Sequence, residues 1–335
     1  MHERHSRRVS ILLSALSIFA SSAIAASDLQ RSPSGETTAS SEAIEIARGS
    51  GTFEFAPARN PQKLIRVYYH RPASFGPSSN ILIVIPGAGR DADEYRDHWV
   101  AASEEHGVLV LTPEYPASDY DFAAYHFGGV IENFELIEPR IDQATSTYYL
   151  KDENIRFDFN ADRSRWLFRD FDRLAEFAAD AVGANTDQYD IFGHSAGGQI
   201  LHRMVVFQPD SKARRILASN SGFYTMPRMD VALPFGLKGT NLDAAHLRQS
   251  LKKELVVFLG ERDDEKETRG THLRTPNADS WGIGRYARGR RFFQEGRSAA
   301  SQLRADFRWK LHVVPDVGHD AAAMSKAAAT YLYGE

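Results

Sequence analysis

The chain predicts an α/β fold: a mainly parallel central sheet flanked by helices, with a lid-like insertion. Three observations carry this. Continuous apolar runs, among them I-L-I-V-I at 81–85 and E-L-V-V-F-L-G at 254–260, have the length and character of strands buried on both faces. Stretches with apolar residues at helical spacing separate them, as at Leu167, Phe171, Leu174, Phe177, Ala178 and Ala181. The runs end in glycine, proline or polar residues, where open α/β sheets carry their active sites.

The first 25 residues read as a secretory signal peptide. Arg4, Arg7 and Arg8 precede an apolar stretch at 11–20, and Ala23-Ile24-Ala25 supplies the small-x-small cleavage site. That stretch falls short of the roughly 20 apolar residues of a spanning helix. No membrane span is therefore expected after cleavage, and the mature protein is expected to be periplasmic or secreted. S-R-R-V-S-I-L at 6–12 leaves Sec and twin-arginine export both open. Residues 26–50, rich in Ser, Ala, Thr and Glu, read as a flexible leader, and one domain is expected over 51–335.

Within that domain, T-F-E-F-A at 52–56 and L-I-R-V-Y-Y-H at 64–70 predict a hairpin. After the strand at 81–85 come a helical stretch to about His106 and a strand, G-V-L-V-L-T-P, at 107–113. Residues 115–165 form a long segment rich in Tyr and Phe, including Tyr120, Phe122, Tyr125, Phe127 and Tyr149. It reads either as a lid or acyl-binding wall, or as a packing cluster of its own. E-N-F-E-L-I-E-P-R-I at 132–141 predicts a helix that Pro139 kinks or ends. Strands at 189–192, 215–219, 254–260 and 307–315 follow, with helices at 200–207, 284–304 and 319–333.

Composition excludes several function classes. The 335 residues are 42% hydrophobic and 25% charged, an ordinary globular mixture. Formal net charge is −4, and removal of the arginine-bearing leader makes the remainder more acidic, which argues against nonspecific nucleic-acid binding. There is no cysteine, so thiol catalysis and Cys-ligated zinc are out. With neither a metal-ligand cluster nor a phosphate loop evident, no metal and no organic cofactor is expected.

Four strand ends carry the chemistry. Gly193-His194-Ser195-Ala196-Gly197 fits G-x-S-x-G, in which a sharp strand-to-helix turn raises a serine hydroxyl. A serine needs a base to act as a nucleophile. His319, in the loop after the last strand, is the candidate among twelve histidines. His194 and His312 read as packing groups. Asp263, after the strand at 254–260, is the candidate acid that orients the base, ahead of its neighbours Asp264 and Glu261. The order Ser, Asp, His is that of one hydrolase triad. P-G-A-G-R at 86–90 offers amides to an oxyanion. The N–H groups of Ala88 and Ala196 are nominated, with Gly89 as the alternative. Asn220, Tyr224 and Trp281 are candidate lining residues of the substrate cleft.

With these positions in place, residues 50–335 resemble the α/β-hydrolase superfamily. F-G-H-S-A-G-G-Q at 192–199, S-N-S-G-F-Y-T-M-P at 219–227 and V-P-D-V-G-H-D at 314–320 look like exported bacterial hydrolases related to polyhydroxybutyrate-depolymerase-like and feruloyl-esterase-like proteins. Where many hydrolases have H-G before the oxyanion hole, this chain has Pro86-Gly87. The resemblance implies Ser195 as nucleophile, His319 as base and Asp263 as acid. The expected activity is hydrolysis of small or polymeric carboxylic esters through an acyl-enzyme. A peptidase or amidase with the same triad, and a non-catalytic binding protein of the same fold, are the rivals.

Overall fold

The computed structural model describes residues 45–334. The signal peptide and most of the expected leader lie outside the described residues. The first strand begins at Gly49 and Ile46 is fully buried, so the fold starts a few residues before the expected boundary at 51.

β1 (Gly49–Phe55) and β2 (Ile65–Arg71) pair antiparallel, as the early hairpin predicts. β3 (Ile81–Ile85) is followed by α1 (Ala92–Asp97), α2 (Val100–His106) and β4 (Leu109–Pro113). In β3 every residue is buried, and the side chains divide by the two-residue period of a strand. Ile81, Ile83 and Ile85 join one apolar core, Leu82 and Val84 the other. A run without alternation is therefore what a strand covered on both faces requires.

The segment after β4 holds α3 (Phe122–His126), β5 (Ile131–Leu136), β6 (Arg140–Asp142), β7 (Thr147–Tyr149) and β8 (Ile155–Phe159). The helix expected over 132–141 is thus two strands. β5 pairs antiparallel with β8, and the Phe134 ring stacks on Phe122 at 4.8 Å. Pairing with a partner some 20 residues further on decided the conformation, and no local signal reports that.

α4 (Phe168–Val182) buries Phe168, Phe171, Leu174, Ala175, Ala178 and Ala179 and stops at Gly183 in the left-handed region. Then come β9 (Tyr189–His194), α5 (Ala196–Phe207), β10 (Ala213–Ser219), α6 (Ala244–Leu251) and β11 (Leu255–Gly260). β12 (His272–Arg274), α7 (Pro276–Ser280), α8 (Arg285–Leu303), β13 (Lys310–Val314) and α9 (Ala321–Tyr333) complete the described chain.

The main sheet has eight strands in the order β1-β2-β4-β3-β9-β10-β11-β13. From β4 to β13 all neighbours are parallel. One core lies between the sheet and the side bearing α4, α5 and α8; the other takes in Tyr95 of α1, Trp99, and Met324, Ala328 and Leu332 of α9. Two smaller sheets, β5-β8 and β12-β7-β6, stand outside it. Parallel strands point their carboxyl ends the same way, so the segments after β3, β9, β11 and β13 meet at one edge. No described helix is long and apolar enough to cross a membrane.

Candidate active site

The elbow between β9 and α5 is built by close backbone approach. Ser195 has φ 58° and ψ −113°, a conformation L residues avoid, and one that typically costs about 1–3 kcal/mol. Its N–H donates to the Ser219 carbonyl at 2.9 Å, which ties the elbow to the end of β10. A Cβ on Gly193 would lie 2.5 Å from the Gly197 carbonyl carbon and oxygen. One on Gly197 would fall still closer to the Ile85 carbonyl oxygen. The glycines at both flanks let α5 start directly against β9 and the end of β3.

Three of the predicted residues come together here. The His319 Nε2 lies 3.0 Å from the Ser195 Oγ, and its Nδ1 lies 2.7 Å from the Asp263 Oδ2. Asp263 is fully buried, His319 nearly so and Ser195 half-buried. With Nδ1–H donating to the carboxylate, Nε2 is left to accept the serine proton. Burial holds the His319 pKa below the ordinary imidazole value, although the bond to Asp263 opposes this. The backbone N–H of His319 donates to the Glu267 Oε2 at 2.8 Å, which fixes the loop. Asp264, half-buried, and Glu261, exposed, accept bonds from the Lys266 and Asp316 backbone N–H groups instead.

His194 packs against this group without entering it. Its ring centroid is 4.6 Å from that of His319, and Tyr95 Oη lies 3.1 Å from its Nδ1. Burial pushes its pKa well below the usual range, so it is neutral. His312, half-buried, stacks on Phe258 at 4.9 Å.

The turn after β3 lies alongside the serine. Arg90 N–H donates to the Gly87 carbonyl at 3.2 Å and closes it, leaving Ala88 and Gly89 exposed at its tip. A Cβ on Gly87 would be 3.6 Å from that of Ser195. Ala196 is the first residue of α5, so its amide has no acceptor within the helix. Amides of this kind beside a hydroxyl can hold a developing oxyanion.

The aromatic segment buttresses that turn, in a way the sequence did not disclose. Tyr125 Oη donates to the Pro86 carbonyl at 2.9 Å. Arg90 Nη1 donates to the carbonyls of Tyr115 and Tyr120 at 2.6 and 3.1 Å, with its guanidinium 3.7 Å from the Tyr125 ring centroid. Tyr115, Tyr120, Tyr125 and Phe127 are all buried, so this part of 115–165 is core. Tyr148 and Tyr149 are half-buried on the three-stranded sheet, whose strand β12 starts at His272 beside the site.

Two of the three lining candidates, Asn220 and Tyr224, are buried. Asn220 is fully buried, and its amide ties two strand ends together: Oδ1 accepts from the Gly260 N–H at 2.8 Å and Nδ2 donates to the Gly318 carbonyl at 3.2 Å. It braces the Asp263 and His319 loops and presents nothing to a cleft. Tyr224 is core, its ring stacked on Phe292 at 4.9 Å. Trp281 is half-buried between the guanidiniums of Arg228 and Arg291. Arg285, bonded to Asp263, is the chief functional neighbour that sequence reasoning missed. An arginine at a helix start carries no signal of such a contact.

No family model matches the chain, and no curated protein matches it. Among solved structures, poly(aspartic acid) hydrolase-1 from Sphingomonas sp. KT-1 is 36% identical, with a TM-score of 0.72 over 87% of this chain and 100% of its own. A poly(3-hydroxybutyrate) depolymerase from Bordetella parapertussis is 28% identical, with a TM-score of 0.70 over 86% of this chain and 90% of its own. The siderophore hydrolase EstA of Aspergillus nidulans shares the fold at 14% identity and a TM-score of 0.51, over 90% and 99% of the two chains.

Proposed function

Since the chain belongs to the α/β-hydrolase superfamily, among hydrolases similar to poly(3-hydroxybutyrate) depolymerase, we propose that it is a serine hydrolase acting on carboxylic esters, with Ser195, His319 and Asp263 as its triad. The observation that carries this is one imidazole bridging a half-buried serine hydroxyl and a fully buried carboxylate, at 3.0 and 2.7 Å.

His319 Nε2 takes the Ser195 proton as Oγ attacks the ester carbonyl. The amides of Ala88 and Ala196, or Gly89 in place of Ala88, hold the oxyanion. The protonated His319 then gives its proton to the departing alcohol, leaving an acyl-serine. Water attacks next as His319 takes its proton, and the imidazolium returns that proton to the Ser195 Oγ as the acid leaves, which restores both residues. Asp263 keeps the ring oriented and favours the imidazolium formed in each step. Ser195→Ala should abolish hydrolysis of short p-nitrophenyl esters and labelling by a fluorophosphonate. Retained turnover in that variant would refute the nucleophile. An unlabelled wild-type Ser195 would favour a binding protein of this fold.

A second reading, amide hydrolysis, has a specific observation behind it. The similar poly(aspartic acid) hydrolase has an amide-linked polyanion in its name. Beside β12, the Tyr149 ring lies between the guanidiniums of Arg140 and Arg274, at 3.8 and 5.8 Å. Arg274 also bonds Asp279 at 2.8 and 2.9 Å, so Arg140 supplies the charge that this surface offers to carboxylate side groups. Matched p-nitrophenyl esters and anilides, together with poly(3-hydroxybutyrate) and poly(aspartic acid), separate the two readings by which substrates turn over.

The same reading puts the protein outside the cytoplasm, on the layout of residues 1–25. Sequencing of the exported protein should give an N-terminus at Ala26; one at Met1 would defeat it.

A further inference from the structure

The acid of the site is shared between an imidazole and a guanidinium. Asp263 gives Oδ2 to His319, and its Oδ1 accepts from Arg285 Nη1 at 2.8 Å. Arg285 is 2% exposed and is the first residue of α8. Its Nη2 donates to the carbonyls of Arg269 and Thr271 at 2.8 and 3.3 Å and lies 3.4 Å from the His272 Nε2. Those carbonyls belong to the backbone that lies across the base. A Cβ on Gly270 would be 3.1 Å from the His319 Nε2 and 2.9 Å from Arg285 Nη2.

We propose that Arg285 is a positioning residue. It turns the Asp263 carboxylate toward His319, holds residues 269–272 over the imidazole, and offsets the carboxylate's charge so that His319 stays neutral in more acidic solution. The proposal rests on the hydrolase reading given above.

The physical argument is a balance of charges. Asp263 and Glu267 face His319 and favour its imidazolium. Arg285 opposes them. Arg269 bonds both Glu267 and Asp320, which cancels much of that outer group. His194 is neutral through burial, and burial, with the Arg285 charge second, holds His272 at about 4, so neither adds charge above about pH 5. Arg285 is thus the inner cation that limits how strongly Asp263 raises the basicity of its histidine. A neutral polar group at the same oxygen would orient the carboxylate as well but would not offset it. The fork of the guanidinium adds what an ammonium lacks, a second arm for the covering backbone.

The test compares Arg285→Gln and Arg285→Lys with the wild type. The readouts are fluorophosphonate labelling rate and kcat/KM on p-nitrophenyl acetate, each across pH 4–9, on variants checked for fold by circular dichroism. With the cation gone, the acidic limb of the Gln variant should move up by about one pH unit, the scale of a nearby charge. The Lys variant keeps the charge, so its limb should stay near that of the wild type while kcat/KM falls roughly tenfold from the lost arm. A limb unmoved in the Gln variant would overturn the proposal. So would a limb in the Lys variant displaced by a full unit, which remains decisive if the Gln variant does not fold. Wild-type protein that neither labels nor turns over ester would overturn the hydrolase reading instead, so the two failures are distinct.

Discussion

Gly193→Ala places one methyl group where β9 meets the first turn of α5. The new Cβ would lie 2.5 Å from the Gly197 carbonyl carbon and oxygen and 3.1 Å from its Cα. Unstrained carbon contacts fall at about 3.5–4.0 Å, so the two segments must part by about 1 Å. Both neighbours are main chain, and no rotamer change can relieve the clash. The turn that moves carries Ser195, whose Oγ stands 3.0 Å from the His319 Nε2, and the Ala196 amide. A displacement of that size costs on the order of 100-fold in rate, about 2.7 kcal/mol of barrier. Overpacking should also cost about 1–3 kcal/mol of stability. Steady-state hydrolysis of p-nitrophenyl acetate and thermal unfolding measure the two effects on one sample. Gly76→Ala is the control, because nothing lies within 4 Å of its Cβ position, and it should match the wild type in both. A Gly193→Ala variant with kcat/KM within twofold of wild type would refute the close-approach account of the elbow.

Two further expectations concern the support of the fold. Burial raises the Asp170 pKa to about 6, despite a 2.5 Å bond from the Ala58 N–H. A carboxyl that holds its proton more tightly when folded makes stability fall as pH rises from about 4 through about 6, with the full loss present above that; two units correspond to about 3 kcal/mol at most. Asp170→Asn should therefore be more stable than wild type at pH 8 and lose that advantage near pH 4. Urea unfolding at three pH values checks this, and an advantage that does not grow with pH speaks against it. Asn220→Ala leaves the Gly260 N–H and Gly318 carbonyl without their side-chain partner in a buried site, a cost of about 1–3 kcal/mol each. It should lower the urea midpoint and esterase activity together, and activity kept at full level would show that the brace does not set the Asp263 and His319 loops.

The sequence disclosed most about the places where one residue type is rare in its setting. β3 and β11 were readable because strands covered on both faces must be apolar throughout, and both are. Ser195, Asp263 and His319 stood out because each follows the end of a strand, whether wholly apolar, as β11 is, or not. The segment 132–141 failed for the opposite reason. Phe134, Leu136 and Ile137 fit a helical and a strand period about equally well over so short a span. The choice was made by pairing with β8 and by left-handed backbone at Asn133 and Glu138, neither of which a local pattern reports.

Support residues were illegible on a different ground. Asn220 was a candidate for the cleft lining, yet its side chain is buried, with left-handed backbone at φ 48°, and its amide satisfies two strand ends at once. Arg285 and Arg90 are ordinary arginines in sequence. Their roles come from carboxylate and carbonyl oxygens contributed by distant segments: Asp263 and Arg269 for one, Tyr115 and Tyr120 for the other. A hydroxyl, an imidazole and a carboxylate have chemistry of their own, and position alone makes them conspicuous. A guanidinium that holds them in place has meaning only through the oxygens it reaches. The aromatic segment follows the same logic. Tyr125 matters here through its bond to the Pro86 carbonyl, at the base of the turn beside Ser195, so changes in that ring should act on the turn before they act on any acyl chain.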